Sequence, residues 1–410
     1  MILELLIKFT QIGISIIFFL LTGVAIYNLA IFLVGYRKGA KLNIENKSIK
    51  LRNISLIIPV KDEINSLPLI FESLKRMIYP RNLLEVLFVI SKSSKRCIEA
   101  CMKFSKENGE WIKVLVDEGK GKPSALNLGL RHASGEIIGV FDVDSILPAD
   151  ILLRVSKAFL DENVKAIQGI TKPYNENKNF LSKLASLEEK AYFTLFLEPR
   201  SNLNMFLPST GSCLFIKKDF LLNIGGWSEN ALAEDLELAL RLFDNGVKIK
   251  LSPEISCRHE VASKLAPYMI QRLRWFRGYL QLFSKALKKL TTLNPCWIDI
   301  SLILASPILL SLSLIIFLYS LLSTNTSIPI SLLKPIAWSL LVAAIPAFLY
   351  LKSKLRRVGL RTILIIPATI AYWIMESLVA LIALMTSLLG IKIGWIRTPK
   401  SGVSELMDDE

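Results

Sequence analysis

Histidine is nearly missing from this chain of 410 residues, which has two. The five cysteines (Cys97, Cys101, Cys213, Cys257 and Cys296) are scattered, odd in number and without a Cys-x-x-Cys pair. These absences argue against a zinc site and against a disulfide framework. They fit a chemistry-bearing part that sits in a reducing compartment. Cys97 and Cys101 lie four apart, on one face of a helix, and read as packing. No internal repeat and no low-complexity linker occurs. Acidic residues are also short in supply, 35 against 50 Lys and Arg, for a net charge of +15. In a chain that is 52% hydrophobic, with a mean hydropathy of +0.45, that excess reads first as cytoplasmic-side Lys and Arg facing anionic lipid. Nucleic-acid binding has only the net charge behind it and is set aside.

The apolar residues gather at the two ends. From Ile12 to Tyr36 no charged residue occurs, which is long enough for a hydrocarbon core of about 30 Å. A signal peptide has a positive start and a shorter apolar core. Here the basic cluster follows instead (Arg37, Lys38, Lys41, Lys47, Lys50), so the stretch reads as an uncleaved anchor with its carboxyl side in the cytoplasm. Ile298–Leu322 and Ile330–Leu351 are further spanning candidates, the second followed by Lys352, Lys354, Arg356 and Arg357. A last apolar stretch, Ile363–Leu389, contains Pro367 and Glu376 and is long for one crossing but short for two. The expectation is a re-entrant or interfacial hairpin broken near Pro367 that returns the tail to the cytoplasm. The whole reads as a multi-pass protein of the cell membrane with a cytoplasmic catalytic part.

Between Ile54 and about Leu251, short apolar runs alternate with amphipathic segments. Ser55–Val60, Val86–Ile90 and Trp111–Val116 read as strands, with helices over Ser66–Met77 and from Lys122 to about His132. Then comes Ile137-Ile-Gly-Val-Phe-Asp-Val-Asp144, an apolar strand ending in two carboxylates. Side chains alternate along a strand, so Asp142 and Asp144 point the same way if it stays extended. The β-α-β order predicts an α/β fold, a doubly wound and mostly parallel sheet with right-handed crossovers. Ligands are then expected at the carboxyl ends of its strands, near Pro59–Glu63, Ser91, Asp117 and Asp142–Asp144. Asn179–Arg200 and Lys264–Lys289 mix aromatic, apolar and basic residues as amphipathic helices at a lipid boundary do; packing on the domain core is the ordinary alternative.

Two carboxylates converging at a strand end can hold a divalent cation, which in turn clamps a diphosphate. Taken alone, Asp-x-Asp is short, and its ordinary reading is an Asp-rich turn capping the next helix. Further signals accumulate in order along the chain. Lys120-Gly-Lys122 puts two cations and a glycine after a strand, where a phosphate is cradled or a basic turn is solvated. Ser209-Thr-Gly-Ser212 reads as a tight turn ahead of the strand Cys213–Ile216. Glu234 and Asp235 open a helix with Arg241 about two turns on, an arrangement that helix-terminus electrostatics alone also favours. Gln271 and Arg274 share a face of the second amphipathic helix, and Trp275 offers a ring and an indole N–H.

The set Pro59…Asp62-Glu63, Asp142-x-Asp144, Glu234-Asp235 and Gln271-x-x-Arg274-Trp275 resembles the membrane-integrated family-2 glycosyltransferases, the branch of the cellulose, hyaluronan, mannan and poly-N-acetylglucosamine synthases. The resemblance covers roughly Ile54 to Gly278 and the placing of apolar segments on either side. Trp395-Ile-Arg-Thr398-Pro-Lys400 resembles the gating motif of cellulose-synthase-like enzymes. The resemblance implies a GT-A fold and an inverting transfer from a nucleotide-diphosphate sugar. On that footing Pro59, Asp62, Glu63 and Lys122 belong to the donor site, Asp142 lies by the nucleotide and diphosphate, and Asp144 binds Mg2+ or Mn2+. Asp235 is the general base. Glu234, Gln271, Arg274 and Trp275 serve the diphosphate and the acceptor, and Trp395, Thr398 and Lys400 gate the site.

Two departures bear on the donor. Lys61 stands where the family usually has an aromatic residue, and Ile90-Ser-Lys-Ser93 replaces the usual Asp-Asp-Gly-Ser. The missing Asp normally reads uracil in that family, so the usual UDP-sugar is less favoured, and a GDP-sugar, or a different way of holding UDP, more. The implied function is polysaccharide synthase-like extension of a glycan acceptor, with a single transfer to a lipid or lipid-linked sugar as the rival. Retention of Asp142, Asp144, Asp235 and Arg274 argues against a non-catalytic transport or scaffold role. The expected division is an anchor and basic linker at 1–50, the GT-A domain at 51–260, an interfacial helix at 261–295, a membrane region at 296–392 and a tail at 393–410. So few spans suit short products or an oligomeric pore.

Overall fold

The computed structural model describes residues 2–38, 50–119, 121–292, 294–322, 360–391 and 402. The chain forms two units. One comprises Met1–Arg37, Thr194–Pro199 and Met269–Ile396, the other Lys38–Phe193, Arg200–Tyr268 and Arg397–Glu410. In chain order, α1 (Ile2–Lys38) precedes β1 (Ile54–Val60), α2 (Leu67–Lys75), β2 (Leu84–Ser91), α3 (Lys95–Asn108) and β3 (Ile112–Asp117). Next come α4 (Lys122–His132), β4 (Ile137–Val140), α5 (Ile151–Ala158), β5 (Ala166–Pro173), α6 (Phe180–Ala191) and α7 (Glu198–Asn202). After these stand β6 (Leu214–Lys217), α8 (Lys218–Asn223), α9 (Glu234–Asp244), β7 (Ile249–His259) and α10 (Leu265–Lys289). The described helices end with α11 (Pro295–Leu304), α12 (Ser306–Leu322) and α13 (Leu360–Leu388).

Runs such as Leu84–Ser91, buried at every position, fill a sheet covered on both faces, as parallel strands require. The seven strands lie in the order β3-β2-β1-β4-β6-β5-β7. β1 pairs in parallel with both β2 and β4. The chain therefore winds one way from β1 to β3 and the other way from β4 onward, which opens a crevice at the carboxyl ends of β1 and β4. β6 is antiparallel to β4, with Val140 opposite Leu214. That reversal delivers the residues just ahead of β6 to the carboxyl end of β4. β5 and β7 are parallel to one another, so the residues following β7 emerge on that same side. Beneath the sheet, Phe71 stacks on Phe104 with centroids 4.0 Å apart, and both rings meet Phe88 edge-on.

The other unit is helical. Ile12–Lys38 and Ile370–Leu388 are long and apolar enough to cross a membrane, and α11 with α12 adds a third if that bent pair is one span. One expectation gains detail here and one is corrected. The span candidate Ile298–Leu322 is bent, with α11 and α12 meeting at 57°. Pro307 supplies the reason, since it has no N–H for Ile303 and disfavours helical backbone at Ser306. The opposite holds for Pro367. Helix α13 runs unbroken from Leu360 to Leu388, so no hairpin forms there; one proline removes a single hydrogen bond, and a long apolar helix carries on past it. The candidate span Ile330–Leu351 lies outside the described residues. The chain still returns to the sheet-bearing unit, because Gly402 N–H donates to Glu260 Oε2 at 3.1 Å.

Glu85 ties the amino-terminal side of the sheet together. It is buried and accepts from Ser55 Oγ at 2.5 Å, Ser134 N at 2.7 Å and Lys113 Nζ at 2.6 Å. Burial opposes its charge, but the bonds from Lys113, Ser55 and Ser134 outweigh burial and hold the carboxyl below its ordinary value. Stability from this carboxylate is therefore present above the unfolded pKa and is lost as pH falls through the folded one. Glu85→Gln is expected to cost about 1–3 kcal/mol at neutral pH, a deficit that shrinks below about pH 4. Denaturant titrations of both chains in detergent at the two pH values measure this.

Candidate active site

Strand β4 stops at Val140, and Asp142 to Asp144 fall in the turn beyond it, closed by Ser145 N–H to the Asp142 carbonyl at 3.0 Å. The two carboxylates therefore do not share one environment, contrary to the extended-strand expectation. Asp144 is 2% exposed, and its Oδ2 accepts from Glu260 N–H at 3.0 Å. The Asp142 side chain is 40% exposed, and its Oδ1 accepts from Lys122 Nζ at 2.6 Å. Lys122 is the first residue of α4, placed by Gly121 (φ +121°) and by Pro123 in the first helical turn. Burial opposes its ammonium, but Asp142, Glu234 and Asp235 outweigh burial and raise its pKa above the ordinary lysine value. Glu234 Oε1 lies 3.9 Å from the same nitrogen.

The turn Ser209–Ser212 joins these groups. Ser212 Oγ accepts from Asp142 N–H at 3.2 Å, and the Gly211 carbonyl lies 3.4 Å from Lys122 Nζ. Gly211 has φ +74°, and a Cβ built there would lie 2.9 Å from Asp235 Oδ2. The Asp235 carboxylate thus rests directly on the glycine. What fixes the turn is Gln168, fully buried in β5. Its Oε1 accepts from Ser209 Oγ and Thr210 N–H, both at 3.1 Å, while its Nε2 donates to the Ser212 carbonyl at 2.8 Å. Asp235 sits in the first turn of α9 with Oδ1 accepting Leu236 N–H at 2.8 Å. It lies at the positive end of that helix and is one of the charges that hold the Lys122 ammonium. Arg241 is turned elsewhere, clamping Glu237 and the carbonyls of Ile224 and Gly226.

The remaining sequence candidates fall into three groups. Pro59 lies in β1 opposite Val89. Asp62, just beyond, has φ +59° and exchanges hydrogen bonds with Ser94, Oγ to Oδ1 at 2.6 Å and N–H to Oγ at 3.2 Å. Glu63 Oε2 accepts Lys61 N–H. Left-handed backbone at an Asp is a strained conformation of the kind that clusters where ligands bind. Gln271, Arg274 and Trp275 are on α10, in the helical unit. Trp395, Thr398 and Lys400 lie outside the described residues.

Sequence reasoning missed Gln168 and Glu260. Gln168 had a visible signal, a lone amide inside the apolar run Ala166–Ile170. Glu260 had none, because its contact with Asp144 is made by a backbone N–H. A hydrogen bond with Cys213 and then burial push the Cys257 thiol well up.

Carboxylate oxygens are the donors that Mg2+ and Mn2+ prefer. Among the described residues no three His, Cys, Asp or Glu side chains gather as a metal cage. Mg2+ is commonly held by one or two carboxylates together with substrate phosphates, so the Asp142–Asp144 pair fits the ion in company with a diphosphate and not alone.

Gly211→Ala would press a methyl group against the Asp235 carboxylate and strain a left-handed position. We expect turnover to fall about a hundredfold with far-UV circular dichroism unchanged. Parental turnover in this variant would mean that displacing Asp235 has no consequence.

A family model, "Glycosyl transferase family group 2", matches residues 137–351. The chain is 28% identical over 251 residues to a beta-monoglucosyldiacylglycerol synthase of Trichormus variabilis, covering 60% of this chain and 53% of that one. It is 26% identical over 195 residues to a poly-beta-1,6-N-acetyl-D-glucosamine synthase of Staphylococcus aureus, covering 47% of each. It thus spans about half the length of the curated relatives it matches. Among solved structures it is similar to a mannosyltransferase of Pyrobaculum calidifontis in complex with GDP-Man and Mn2+, with a TM-score of 0.63 at 19% identity over 92% of this chain and 100% of that one. The sheet described above, mostly parallel with β6 reversed, is accordingly a GT-A sheet. With more than half of its length matched by the family model, the chain belongs to glycosyltransferase family group 2.

Proposed function

We propose that the chain moves a hexosyl group from a nucleotide-diphosphate sugar to an acceptor hydroxyl at a membrane surface, with inversion at the anomeric carbon. The observation that carries this reading is the Ser209–Ser212 turn, which gathers Lys122, Asp142 and Asp235 at the carboxyl end of β4. Asp144 would hold Mg2+ or Mn2+, with Asp142 beside the donor's nucleotide and diphosphate. When bound, the ion offsets the charge that builds on the leaving diphosphate. Lys122 adds a fixed positive charge beside it. Asp235 accepts the proton of the acceptor hydroxyl as its oxygen bonds to the anomeric carbon from the face opposite the diphosphate. The bond from that carbon to the phosphate oxygen breaks, and nucleoside diphosphate departs. Gln271 and Arg274 bind the diphosphate, and Trp275 floors the acceptor site.

A GDP-sugar is the donor we favour. At the end of β2, Ser91 and Ser93 share a hydroxyl hydrogen bond at 3.0 Å where an Asp would read uracil. The neighbouring carboxylate, Asp117, is engaged by Gly119 N–H and Ser124 Oγ. For the acceptor, glycan extension is the first reading. A lipid hydroxyl is the second, and two observations support it: the similarity to a diacylglycerol-modifying relative, and α10, whose Leu273 and Phe276 pack on the apolar helix α13.

Purified full-length protein in detergent, given Mn2+ and a panel of UDP- and GDP-sugars, is expected to release nucleoside diphosphate from one of them. The product's size separates a polymer from a single addition to lipid. Asp235→Asn should lower transfer about 10²- to 10⁴-fold with donor binding by calorimetry retained; full activity would remove Asp235 from the base role. Chelation by EDTA should stop turnover, and Asp144→Ala should weaken Mn2+ dependence. Undiminished turnover in EDTA refutes the metal role.

A further inference from the structure

Helix α10 carries Trp275 on one side and lies on α13 with the other. Phe276 is buried against Val379, Ala380 and Ala383, with Met269, Leu273 and Leu280 packed alongside. On α13 these partners recur at positions three and four apart, one stripe of one helical face, and the two alanines let the backbones come close. One turn before that stripe, on the same face, stands Glu376, a carboxylate inside the apolar stretch Ile370–Leu388. It is 7% exposed. Its Oε1 lies 3.3 Å from Arg272 Nε, and the two side chains are 9% and 14% exposed. The Arg272 guanidinium in turn covers the Trp275 ring, its central carbon 4.6 Å from the ring centroid.

An ionisable residue in such a helix is expensive to keep and is held by function or by a partner. Packing alone does not need Glu376, because the apolar stripe already joins the helices. What the stripe does not fix is rotation and register: sliding α10 by one turn exchanges one apolar contact for another. The ion pair forbids that slide, since it would leave a buried cation against alanine and a buried carboxylate without its cation. Arg272 and Trp275 are three residues apart, so the guanidinium held by Glu376 sets where the indole lies.

We propose that Glu376 is a positioning residue: through Arg272 it fixes the Trp275 ring and thereby the seat of the acceptor. This rests on the reading above that Trp275 floors the acceptor site.

The test uses the full chain in lipid nanodiscs with the donor it hydrolyses. The acceptor probe is dioctanoylglycerol or an N-acetylglucosamine tetramer, whichever the parent chain glycosylates. Glu376→Gln should raise the acceptor KM about ten- to a hundredfold and leave acceptor-independent donor hydrolysis within about twofold. Trp275→Ala should raise the acceptor KM as well, and the double variant should be no worse than Trp275→Ala alone. The exchanged pair, Arg272→Glu with Glu376→Arg, restores an ion pair between the helices but takes the cation off the ring. It should recover thermal stability and not the acceptor KM. If the exchange recovers the KM, or if Glu376→Gln lowers kcat and donor hydrolysis together at unchanged acceptor KM, Glu376 only holds the helices together and the proposal falls. If the exchanged chain does not fold, Glu376→Gln and the double variant still decide, additive losses overturning the proposal. A silent Trp275→Ala refutes the acceptor-floor reading and this inference with it. A silent Glu376→Gln beside an impaired Trp275→Ala refutes this inference alone.

Discussion

One buried amide sets the geometry of the catalytic unit. Gln168 is sealed inside β5, and its side chain meets the polar groups of the Ser209–Ser212 turn with both its oxygen and its nitrogen. An amide is suited to this because it donates and accepts from one planar group. Once desolvated, each unmade bond costs about 1–3 kcal/mol, so the turn has one arrangement that satisfies the amide and few that come near it. From that arrangement follow the support for Asp142 N–H, the carbonyl beside Lys122 and the glycine under Asp235. Three sequence-distant charged groups are placed by a residue that carries no charge.

The reversal of β6 makes this possible. In a sheet parallel throughout, the residue before a strand lies at the end away from the ligands. Running β6 against β4 brings its leading turn to the carboxyl side, where Asp142 already is. β7 runs parallel to β5, so Glu260, which follows it, emerges on that side as well and meets Asp144. The crevice is thus lined from three sources: the helix start at Lys122, the strand end at Asp142 and a turn that enters a reversed strand.

Much of the sheet was legible because buried parallel strands are uninterrupted apolar runs. Val86–Ile90 and Ile137–Val140 can be read off by eye, and Lys122–His132 carries its own start signal in Gly121 and Pro123. The direction of β6 was not legible, since Leu214–Lys217 is apolar whichever way it runs. Asp142 and Asp144 were visible as a pair, but their different surroundings were not: period-2 alternation holds only while the strand lasts, and it ends at Val140. Proline was legible only in part. Pro307 bends a stretch that reads from the sequence as one span, and Pro367 leaves whole a helix that was expected to break; the outcome depends on the neighbours that take up the freed backbone groups. Glu376 was noticed as an oddity of an apolar stretch, but its partner Arg272 lies on another helix and no local pattern names it.

Gly402 ties two parts of the sheet-bearing unit together. Its φ is +67°, and a side chain there would collide with the Asn65 carbonyl, a Cβ lying 2.3 Å from that oxygen. The chain is therefore seated tightly against the loop that follows β1, with Glu260 accepting its N–H. Glu260 thus serves two neighbours with different atoms: its backbone N–H meets Asp144, and its side chain holds Gly402. Anything larger than glycine at 402 would have to move off Asn65, and Glu260, which shares that seat, would carry the displacement to the buried Asp144 carboxylate.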